Sequence, residues 1–537
     1  MFSAYHELTR LENRLTSKTN VDAIRVLEGQ IKEHKQRIAE LKRTQNSLLN
    51  ISRLPPEILG DIFCRSAIPD GFEKRSCNFL LVCHHWFEVA SFTPELWGFW
   101  GNNPRDWERQ HLRYPEVPLD LILDGSRVGD ALDDTVHDSL RDRASRDSIR
   151  RVHLRARNWK LLNSILSSLT ANEWKDVRYN SVESFILRNE GNTPVNVSDF
   201  FAYNRSRRLQ CLELTNCTIT SWDCLTSQTT VLTTLVLHLS RSSPTPTTPQ
   251  LFSILSSSPA LRKITLTGCS VPTDADDDPS PRLPFRHLEE LKLAGRVQDV
   301  FKLLLRLDHP RHMHHLEIIL HQCAVGDISN VVGPYLRDHL RRHGWSQNKL
   351  GLHISTDNRI VVRVGNVGSL CPPTPVSERM VPFIVLAIDS VQTPPNNSRE
   401  RIILDLIAYT PREEIVYLRM HENPTAMENI YARLPILRSL YVGKISLSAV
   451  FPKQITGGNR ILPFLQHVFL ERVDADRGDW TPLTAFLSCR TPLDSLEILN
   501  SSYMRPEEVK DVGKAVRHFW TNHKRHHGIS PNISHGQ

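Results

Sequence analysis

The sequence predicts a mixed α/β chain in which two helical segments precede a long solenoid of alternating strands and helices. Apolar residues recur at helical spacing in the part of the chain before residue 98. A six-residue pattern, Leu-x-x-Leu-x-Leu, then returns again and again between residues 149 and 526. Such a repeat is typical of a solenoid, because one strand–helix unit cannot bury its apolar face without its neighbours.

Length and composition are those of an ordinary soluble protein. The 537 residues exceed one compact hydrophobic core, while 40% are hydrophobic and 23% are charged. No apolar run reaches the roughly 18 residues of a membrane span, and the N-terminus lacks a signal-peptide pattern. The ten cysteines are scattered, which favours a reducing compartment. We therefore expect a cytoplasmic or nuclear protein, or one present in both, without a membrane partner.

Residues 1–50 are predicted to be helical. Eight positions separated alternately by three and four residues form a heptad seam; they are Ile24, Leu27, Ile31, His34, Ile38, Leu41, Gln45 and Leu48. Two interpretations remain open. The helix either forms a coiled coil that joins two copies of the chain through residues 21–49, or it folds back onto its own domain.

Residues 51–100 predict a small domain of three helices. The pair Pro55-Pro56 suits the first turn of a helix, where no backbone donor is needed. Apolar residues at helical spacing follow on both sides of a polar spacer; they are Ile58, Leu59, Ile62 and Phe63, then Leu81, Val82, Trp86, Val89 and Ala90. So short a segment cannot bury all of this surface within itself, and we expect one face to contact a partner.

This segment resembles an F-box, whose pattern is Leu-Pro, a Leu/Ile-rich helix, Val-Cys-x-x-Trp and a closing Trp. The matching residues are Leu54, Pro55, Glu57, Ile58, Leu59, Ile62, Phe63, Val82, Cys83, Trp86 and Trp97. The ending Thr93-Pro94-Glu95-Leu96-Trp97 is close to the form common in F-box proteins of mushroom-forming fungi. The resemblance implies that these residues bind a Skp-type adaptor and, through it, a cullin.

Residues 149–526 contain the repeat, after a connector at 101–148 and before a tail at 527–537 that we expect to be disordered. Clear copies start at Leu209, Leu232, Leu261, Leu288, Leu437, Leu465 and Leu493, and looser ones at Ile149, Val182, Met313, Phe383 and Ile415. The pattern resembles leucine-rich repeats, and Cys217 and Cys269 occupy the position that takes Asn or Cys in that family. Residues 321–382 fit worst, which predicts an insertion or an irregular middle section, with a hairpin at 350–364.

The residues between the inward leucines are predicted to face outward and to bind a protein substrate. They include Arg151, Arg155, Lys263, Glu290, Lys292, Glu317, Tyr441, His467, Phe469, Glu471 and Glu497. Tyr441 and Phe469 are the most informative, because aromatic side chains are enriched among interface anchors. Alternatively, both rings pack beneath the C-terminal segment around Trp520.

No enzyme motif is found: the sequence lacks a phosphate-binding Gly-rich loop, Gly-x-Ser-x-Gly and His-Glu-x-x-His. The histidines between His309 and His321 diverge along a strand, so we expect neither a metal nor another cofactor. These observations favour a non-catalytic substrate receptor of a Skp-type-adaptor/cullin/F-box ubiquitin ligase. Two alternatives stay open, a scaffold without ubiquitin transfer and a solenoid that binds nucleic acid. The net charge of only +7 makes nucleic acid the less favoured partner.

Overall fold

A computed structural model describes most of the chain. The described residues are 20–67, 78–100, 117–125, 149–170, 182–203, 207–226, 230–239, 246–268, 282–308, 313–342, 350–356, 359–367, 380–389, 398–421, 427–451, 462–473, 480–501 and 504–522. They fall into two compact units, Met1–Arg155 and Ala156–Gln537. The predicted tail at 527–537 and Cys269 lie outside the described residues.

The described residues of the first unit begin with helices. These are α1 (Asn20–Ser47), α2 (Pro56–Ala67) and α3 (His84–Ser91), with short 3₁₀ turns at Asn50–Arg53, Asn78–Leu81 and Pro94–Leu96. Helix α2 begins at Pro56, as expected of a first-turn proline. Gly60 allows the chain to pass close to α2, because a Cβ there would lie 2.8 Å from Thr93 Oγ1.

One small core joins α2, α3 and the two later turns. It is formed by Leu59, Phe63, Ala67, Phe79, Val89, Ala90 and Leu96. The ring of Phe63 stacks on Phe79 with 4.6 Å between centroids and lies 5.1 Å from the ring of Trp86. Trp97 Nε1 donates a hydrogen bond of 2.9 Å to the carbonyl of Ala90, which fixes the end of this segment.

Three parallel strands complete the first unit. They are β1 (Phe99–Trp100), β2 (Leu119–Asp124) and β3 (Ile149–Ala156), paired in this order. All of β2 is buried, including Asp120. The Asp120 carboxylate accepts two hydrogen bonds from Arg150, of 3.0 and 2.9 Å, which compensates for the burial of its charge.

The second unit is a ladder of mostly parallel strands. The first run is β4 (Ser184–Asn189), β6 (Cys211–Thr215), β8 (Thr234–His238), β9 (Lys263–Thr267), β11 (Glu290–Arg296) and β13 (His315–His321). The second run is β17 (Ile415–His421), β18 (Ser439–Gly443), β19 (His467–Glu471), β20 (Leu493–Leu499) and β21 (Val516–Asn522). Two short pairs lie beside the ladder, β5 (Val195–Asn196) with β7 (Cys217–Thr218) and β10 (Leu283–Pro284) with β12 (Leu307–Asp308).

Three strands join the two runs in reversed order. They are β14 (Leu350–Ser355), β15 (Ile360–Val367) and β16 (Met380–Ile388). Strand β16 pairs in parallel with β13, β15 runs antiparallel between β16 and β14, and β14 pairs in parallel with β17. The predicted hairpin at 350–364 is therefore confirmed as the β14–β15 pair. The reversed spatial order was not predicted.

Helices cover the inward face of this ladder. They are α4 (Trp159–Thr170), α5 (Ser198–Tyr203), α6 (Asp223–Thr226), α7 (Thr248–Ser256), α8 (Val297–Arg306), α9 (Val325–Asp327), α10 (Gly333–Arg342), α11 (Ser398–Tyr409), α12 (Met427–Tyr431), α13 (Leu447–Val450), α14 (Thr481–Ser488) and α15 (Pro506–Lys514), with a π turn at Ile328–Val332. The inward residues Leu212, Leu235, Ile264, Leu291 and Leu316 are in register and fully buried. The predicted inward direction of the leucines is confirmed. A large parallel sheet with helices on one face is consistent with a leucine-rich-repeat-like solenoid.

The turn after a strand has a recurrent backbone conformation. Residues directly after six strands have positive φ; they are Asn216, Gly268, Gln322, Lys444, Arg472 and Asn500. Asn and Gly adopt this left-handed conformation at low cost, which explains their use at three of these positions. Cys217 follows Asn216, is buried, and lies with Sγ 3.3 Å from the carbonyl of Thr215. Cys217 thus comes directly after the turn residue and opens the short strand β7.

Candidate protein-interaction surfaces

Helix α2 carries apolar residues on both of its faces. Leu59 and Phe63 are 0% and 2% exposed and form the centre of the small core. Ile58 and Ile62, one position earlier in each turn, are 51% and 38% exposed. The same cluster also exposes Leu81, Val82, Phe87 and Phe92. So small a cluster usually exposes fewer apolar side chains to water. The exposed side chains therefore mark this surface as a candidate interface.

The other residues of the predicted adaptor surface differ in exposure. Pro55 and Glu57 are exposed, whereas Leu54, Cys83, Trp86 and Trp97 are half-buried. Leu59 and Phe63 lie in the core, so they support the exposed positions from beneath instead of facing a partner. Sequence reasoning missed Phe87 and Phe92 as candidates. Both side chains are apolar, and the segment already had enough other apolar residues to form its core. This surplus was the signal that could have found them.

The outward face of the second unit is aligned by the strand register. One row across the second run contains Arg419, Tyr441, Phe469, Glu497 and Trp520, each directly opposite the next. Tyr441 and Phe469 are neighbours as the repeat predicts, with 6.4 Å between ring centroids and 22° between ring planes. Strand β21 lies beside β20 within the sheet. The C-terminal segment up to Asn522 therefore extends the sheet and does not cover this pair.

In the first run, outward charges are matched across neighbouring strands. Lys263 pairs with Glu290 at 2.7 Å and Lys292 with Glu317 at 2.9 Å, while Arg188 makes a two-point contact with Glu213. Four predicted substrate-binding residues are therefore already paired within the sheet; they are Lys263, Glu290, Lys292 and Glu317. Each of these surface pairs contributes little to stability, but together they leave this part of the face electrically balanced.

Arg151 and Arg155 belong to the first unit. Arg151 is in register with Asp120, and the two charged groups are 3.8 Å apart. Arg155 is in register with Asp124, and its carbonyl accepts a hydrogen bond from the Gly125 amide. The nine other predicted substrate-binding residues belong to the second unit, and each set is described by itself.

A different arrangement occupies the outward face around Tyr441. We call it the Arg–His–Tyr cluster, formed by His353, Arg363, Arg419, His421 and Tyr441. Arg363 Nη1 lies 3.1 Å from His353 Nδ1, and Arg419 Nε donates a 3.0 Å hydrogen bond to His421 Nε2. The Arg419 guanidinium lies 4.4 Å from the centroid of the Tyr441 ring, close enough for a cation–π contact. The rings of His353 and Tyr441 are each 5.6 Å from that of His421.

Tyr441 faces outward but is only 7% exposed, unlike the open aromatic that its outward position predicts. Its ring is surrounded by Arg419, His421 and Phe469, and its hydroxyl donates a hydrogen bond to Glu471. Phe469 and Glu471 are half-buried at the edge of the cluster. The substrate-binding role of these residues remains a prediction, with Phe469 the more accessible ring.

Burial changes the acid–base properties of this face. Desolvation, with the nearby charges of Arg363 and Arg419, lowers the pKa of His353 to about 3. Desolvation also lowers the pKa of Arg363, with Arg359 and Arg419 adding to the effect. On β20, two strands beyond Tyr441, desolvation raises the pKa of Glu497. Partial exclusion of water strengthens any hydrogen bond or ion pair that these groups form with a ligand.

Two further features bear on function. Among the described residues, no group of three or more His, Cys, Asp or Glu side chains is arranged to hold a metal ion. Of the helices within those residues, none combines the length and apolar character that crossing a bilayer requires. Sequence reasoning missed His353, Arg363, Arg419 and His421. His353 and Arg363 approach Tyr441 only because of the reversed order of β14 and β15. Arg419 and His421 lie on β17 beside β18, and the looser repeat copy at Ile415 was the signal that could have found them.

No known protein family and no curated protein matches the sequence of this chain. A solved structure of a leucine-rich-repeat protein from Leptospira interrogans is similar over 77% of this chain and 90% of its own, with 12% identity and a TM-score of 0.26. This likeness is too distant to carry an argument, and the assignment of the fold rests on the strand register described above.

Proposed function

We propose that the chain is the substrate-receptor subunit of a Skp-type-adaptor/cullin/F-box ubiquitin ligase. The first unit docks onto the adaptor, and the second unit binds a protein substrate. The observation that carries the proposal is the exposure of Ile58 and Ile62 on a helix whose Leu59 and Phe63 are already anchored in a core. The resemblance of the segment from Leu54 to Trp97 to the F-box sequence pattern also supports the proposal.

Energetics support an interface at α2. Burying an exposed isoleucine, leucine or phenylalanine side chain contributes about 1.5–3 kcal/mol. A few such anchors are sufficient for a specific interface, since binding energy concentrates in a minority of residues. Because the packing of Phe63 against Phe79 and Trp86 fixes α2 in place, little order has to be gained on binding.

The second unit then needs no catalytic group. A receptor that holds a substrate next to a ubiquitin-loaded partner acts by raising the effective concentration of the substrate's lysines. A long ladder of outward-facing side chains is suited to that role, because it offers many positions in register for one extended contact.

The test is binding of the purified full-length chain to a purified Skp-type adaptor. Replacing Ile58→Asp together with Ile62→Asp should weaken binding at least tenfold, because two apolar anchors become charged. The control is Asp61→Ala with Arg65→Ala, which removes an exposed 3.0 Å ion pair from the same helix. The control should bind within about twofold of wild type, as exposed ion pairs contribute little. Undiminished binding by the aspartate variant would refute adaptor docking through α2.

A scaffold without ubiquitin transfer is the second candidate. It is favoured by α1, whose seam residues Ile24, Ile31, Ile38 and Leu41 are all more than half exposed and suited to self-association. Reconstitution separates the two functions. A receptor bound to adaptor and cullin supports ubiquitin transfer to a captured protein, whereas a scaffold binds its partners without any transfer.

A further inference from the structure

The Arg–His–Tyr cluster differs from the rest of the outward face in its charge balance. In the first run, Lys263, Lys292 and Arg188 each contact a carboxylate on the neighbouring strand. Arg363 and Arg419 instead hydrogen-bond to imidazoles, and among the described residues neither guanidinium has a carboxylate within ion-pair distance. Two half-buried positive charges therefore share one face without an anion between them.

The register places these two charges on either side of one histidine. His353 is directly opposite Arg363 on β15 and directly opposite Arg419 on β17. A guanidinium can only donate, so His353 Nδ1 accepts the hydrogen bond from Arg363, and the ring proton of the neutral imidazole is on Nε2. That buried Nε2 has no hydrogen-bond partner among the described residues. The cluster thus holds more donors than acceptors.

We propose that the outward face from β15 to β19 binds an acidic peptide segment, with a carboxylate of the peptide between Arg363 and Arg419 and an apolar side chain against Phe469. The planar guanidinium favours this ligand, because its donors match the two oxygens of a carboxylate. The carboxylate brings the acceptors that the cluster lacks. The inference rests on the proposed function only in calling the bound segment a substrate.

The dimensions of the face fit a short extended segment. From β15 through β14, β17 and β18 to β19 there are four strand spacings, or about 19 Å, which equals about six extended residues. The aromatic end of this path is formed by Tyr441 and the half-buried ring of Phe469. A segment that carries an acidic residue near one end and an apolar residue near the other therefore matches both ends.

Nearby carboxylates favour a peptide over a nucleic acid. Glu317 lies in the same row on one side of the cluster, and Glu497 lies in that row on the other. Glu471 is adjacent as the acceptor for Tyr441. Lys292 already pairs with Glu317, so a continuous phosphate backbone would be repelled at the end that holds Glu471 and Glu497, whereas a peptide with an isolated acidic residue meets only the positive centre.

The experiment is a selection of random twelve-residue peptides displayed on phage against the purified full-length chain. Wild type should enrich sequences with Asp or Glu, and Arg363→Glu with Arg419→Glu should abolish that enrichment. The control is Arg399→Glu with Arg401→Glu, an equal change of charge on exposed residues of α11, and it should select as wild type does. Anisotropy with a selected, labelled peptide should show at least tenfold weaker binding to the cluster variant.

A second double variant, an RNA competitor and a measurement of adaptor binding distinguish the possible outcomes. Arg363→Gln with Arg419→Gln removes the charges without reversing them, and it should also lose the peptide while melting close to wild type. Selection without acidic enrichment, or an acidic peptide that binds both cluster variants normally, would overturn the proposal. So would a labelled single-stranded RNA that displaces the selected peptide. Adaptor binding is measured on the same variants and should not change, which separates failure here from failure of the ligase assignment.

Discussion

Gly443 leaves the space that the ring of His421 occupies. A Cβ on Gly443 would come within 2.6 Å of His421 Nδ1 and 2.8 Å of its Cε1. The two residues are directly opposite each other on β18 and β17. The missing side chain lets His421 lie across the strand boundary, where its Nε2 accepts the hydrogen bond from Arg419. A glycine within a strand here serves a close approach of a neighbouring side chain.

Gly443→Ala should therefore destabilise the second unit by about 1–3 kcal/mol, the usual cost of overpacking. The ring of His421 must move, which also weakens its hydrogen bond with Arg419. Gly513→Ala is the matched control, because a Cβ at Gly513 meets no atom within 4 Å. In a helix that change should be neutral or stabilising. Thermal unfolding of both variants decides, and equal melting temperatures would contradict the steric role of Gly443.

Tyr441 should respond to substitution more strongly than Phe469. Tyr441→Ala removes a 7% exposed ring packed on Arg419 and Phe469, so we expect a loss of about 3 kcal/mol. Phe469→Ala removes a half-buried ring and should cost less. Tyr441→Phe keeps the ring and loses only the hydroxyl that donates to Glu471, so it should cost about 1 kcal/mol.

Thermal unfolding gives the order of these three variants. A variant with Tyr441→Ala that melts like wild type would show that the ring is not packed as described. Peptide binding should fall with Phe469→Ala even though its melting temperature changes little, because that ring is the accessible aromatic of the proposed site.

Much of this fold could be predicted because the repeated leucine pattern specifies which side chains of each strand face the core. In Leu-x-x-Leu-x-Leu, the alternation alone assigns Leu440 and Val442 to the core and Tyr441 to the opposite face, as observed. It also predicted that Tyr441 and Phe469 are neighbours, because equal repeats stack in register. Accessibility could not be predicted, since it depends on Arg419 and His421 on the neighbouring strand.

Two parts of the candidate sites were beyond sequence reasoning. Ile58 and Leu59 are both apolar and adjacent, and spacing alone does not decide which of the two stripes of α2 faces the core. Arg363 and His353 lie where the repeat template fails. They join the cluster because β14 and β15 pair antiparallel and in reversed order, a long-range pairing that no local pattern specifies.

His353 should make the protein sensitive to acid. Its pKa of about 3 in the folded chain lies below the value of about 6.5 expected in an unfolded chain. Between these values the unfolded chain binds a proton that the folded chain does not, so stability falls as the pH is lowered. We expect the melting temperature to drop as the pH is lowered from about 6.5 toward about 3, and to drop less in His353→Asn.

Asparagine is chosen because its side-chain oxygen can accept the hydrogen bond that His353 Nδ1 accepts from Arg363. His518→Asn, which replaces an exposed histidine on β21, serves as the control and should follow the wild-type curve. Parallel curves for wild type and His353→Asn would exclude this histidine as a source of the acid sensitivity.

Helix α1 should join two copies of the chain. Its 28 residues place isoleucine at three a positions of the heptad and leucine at two d positions, with a third d-position leucine directly after the helix, a combination that favours parallel two-stranded coils. These residues are Ile24, Ile31, Ile38, Leu27, Leu41 and Leu48, and each is at least 36% exposed. A helix folded back onto its own domain would bury this seam, so the exposure favours the coiled coil of the two interpretations.

Ile38→Asp should convert a dimer into a monomer, because it places a charge in the centre of the apolar seam. Ala39→Asp is the matched control, since it puts the same charge one position away at an exposed site outside the seam. Light scattering coupled to size exclusion should give twice the chain mass of 61.6 kDa for wild type and for the control, and the mass of one chain for Ile38→Asp. A wild-type chain that elutes as a monomer at every accessible concentration would rule out self-association through α1.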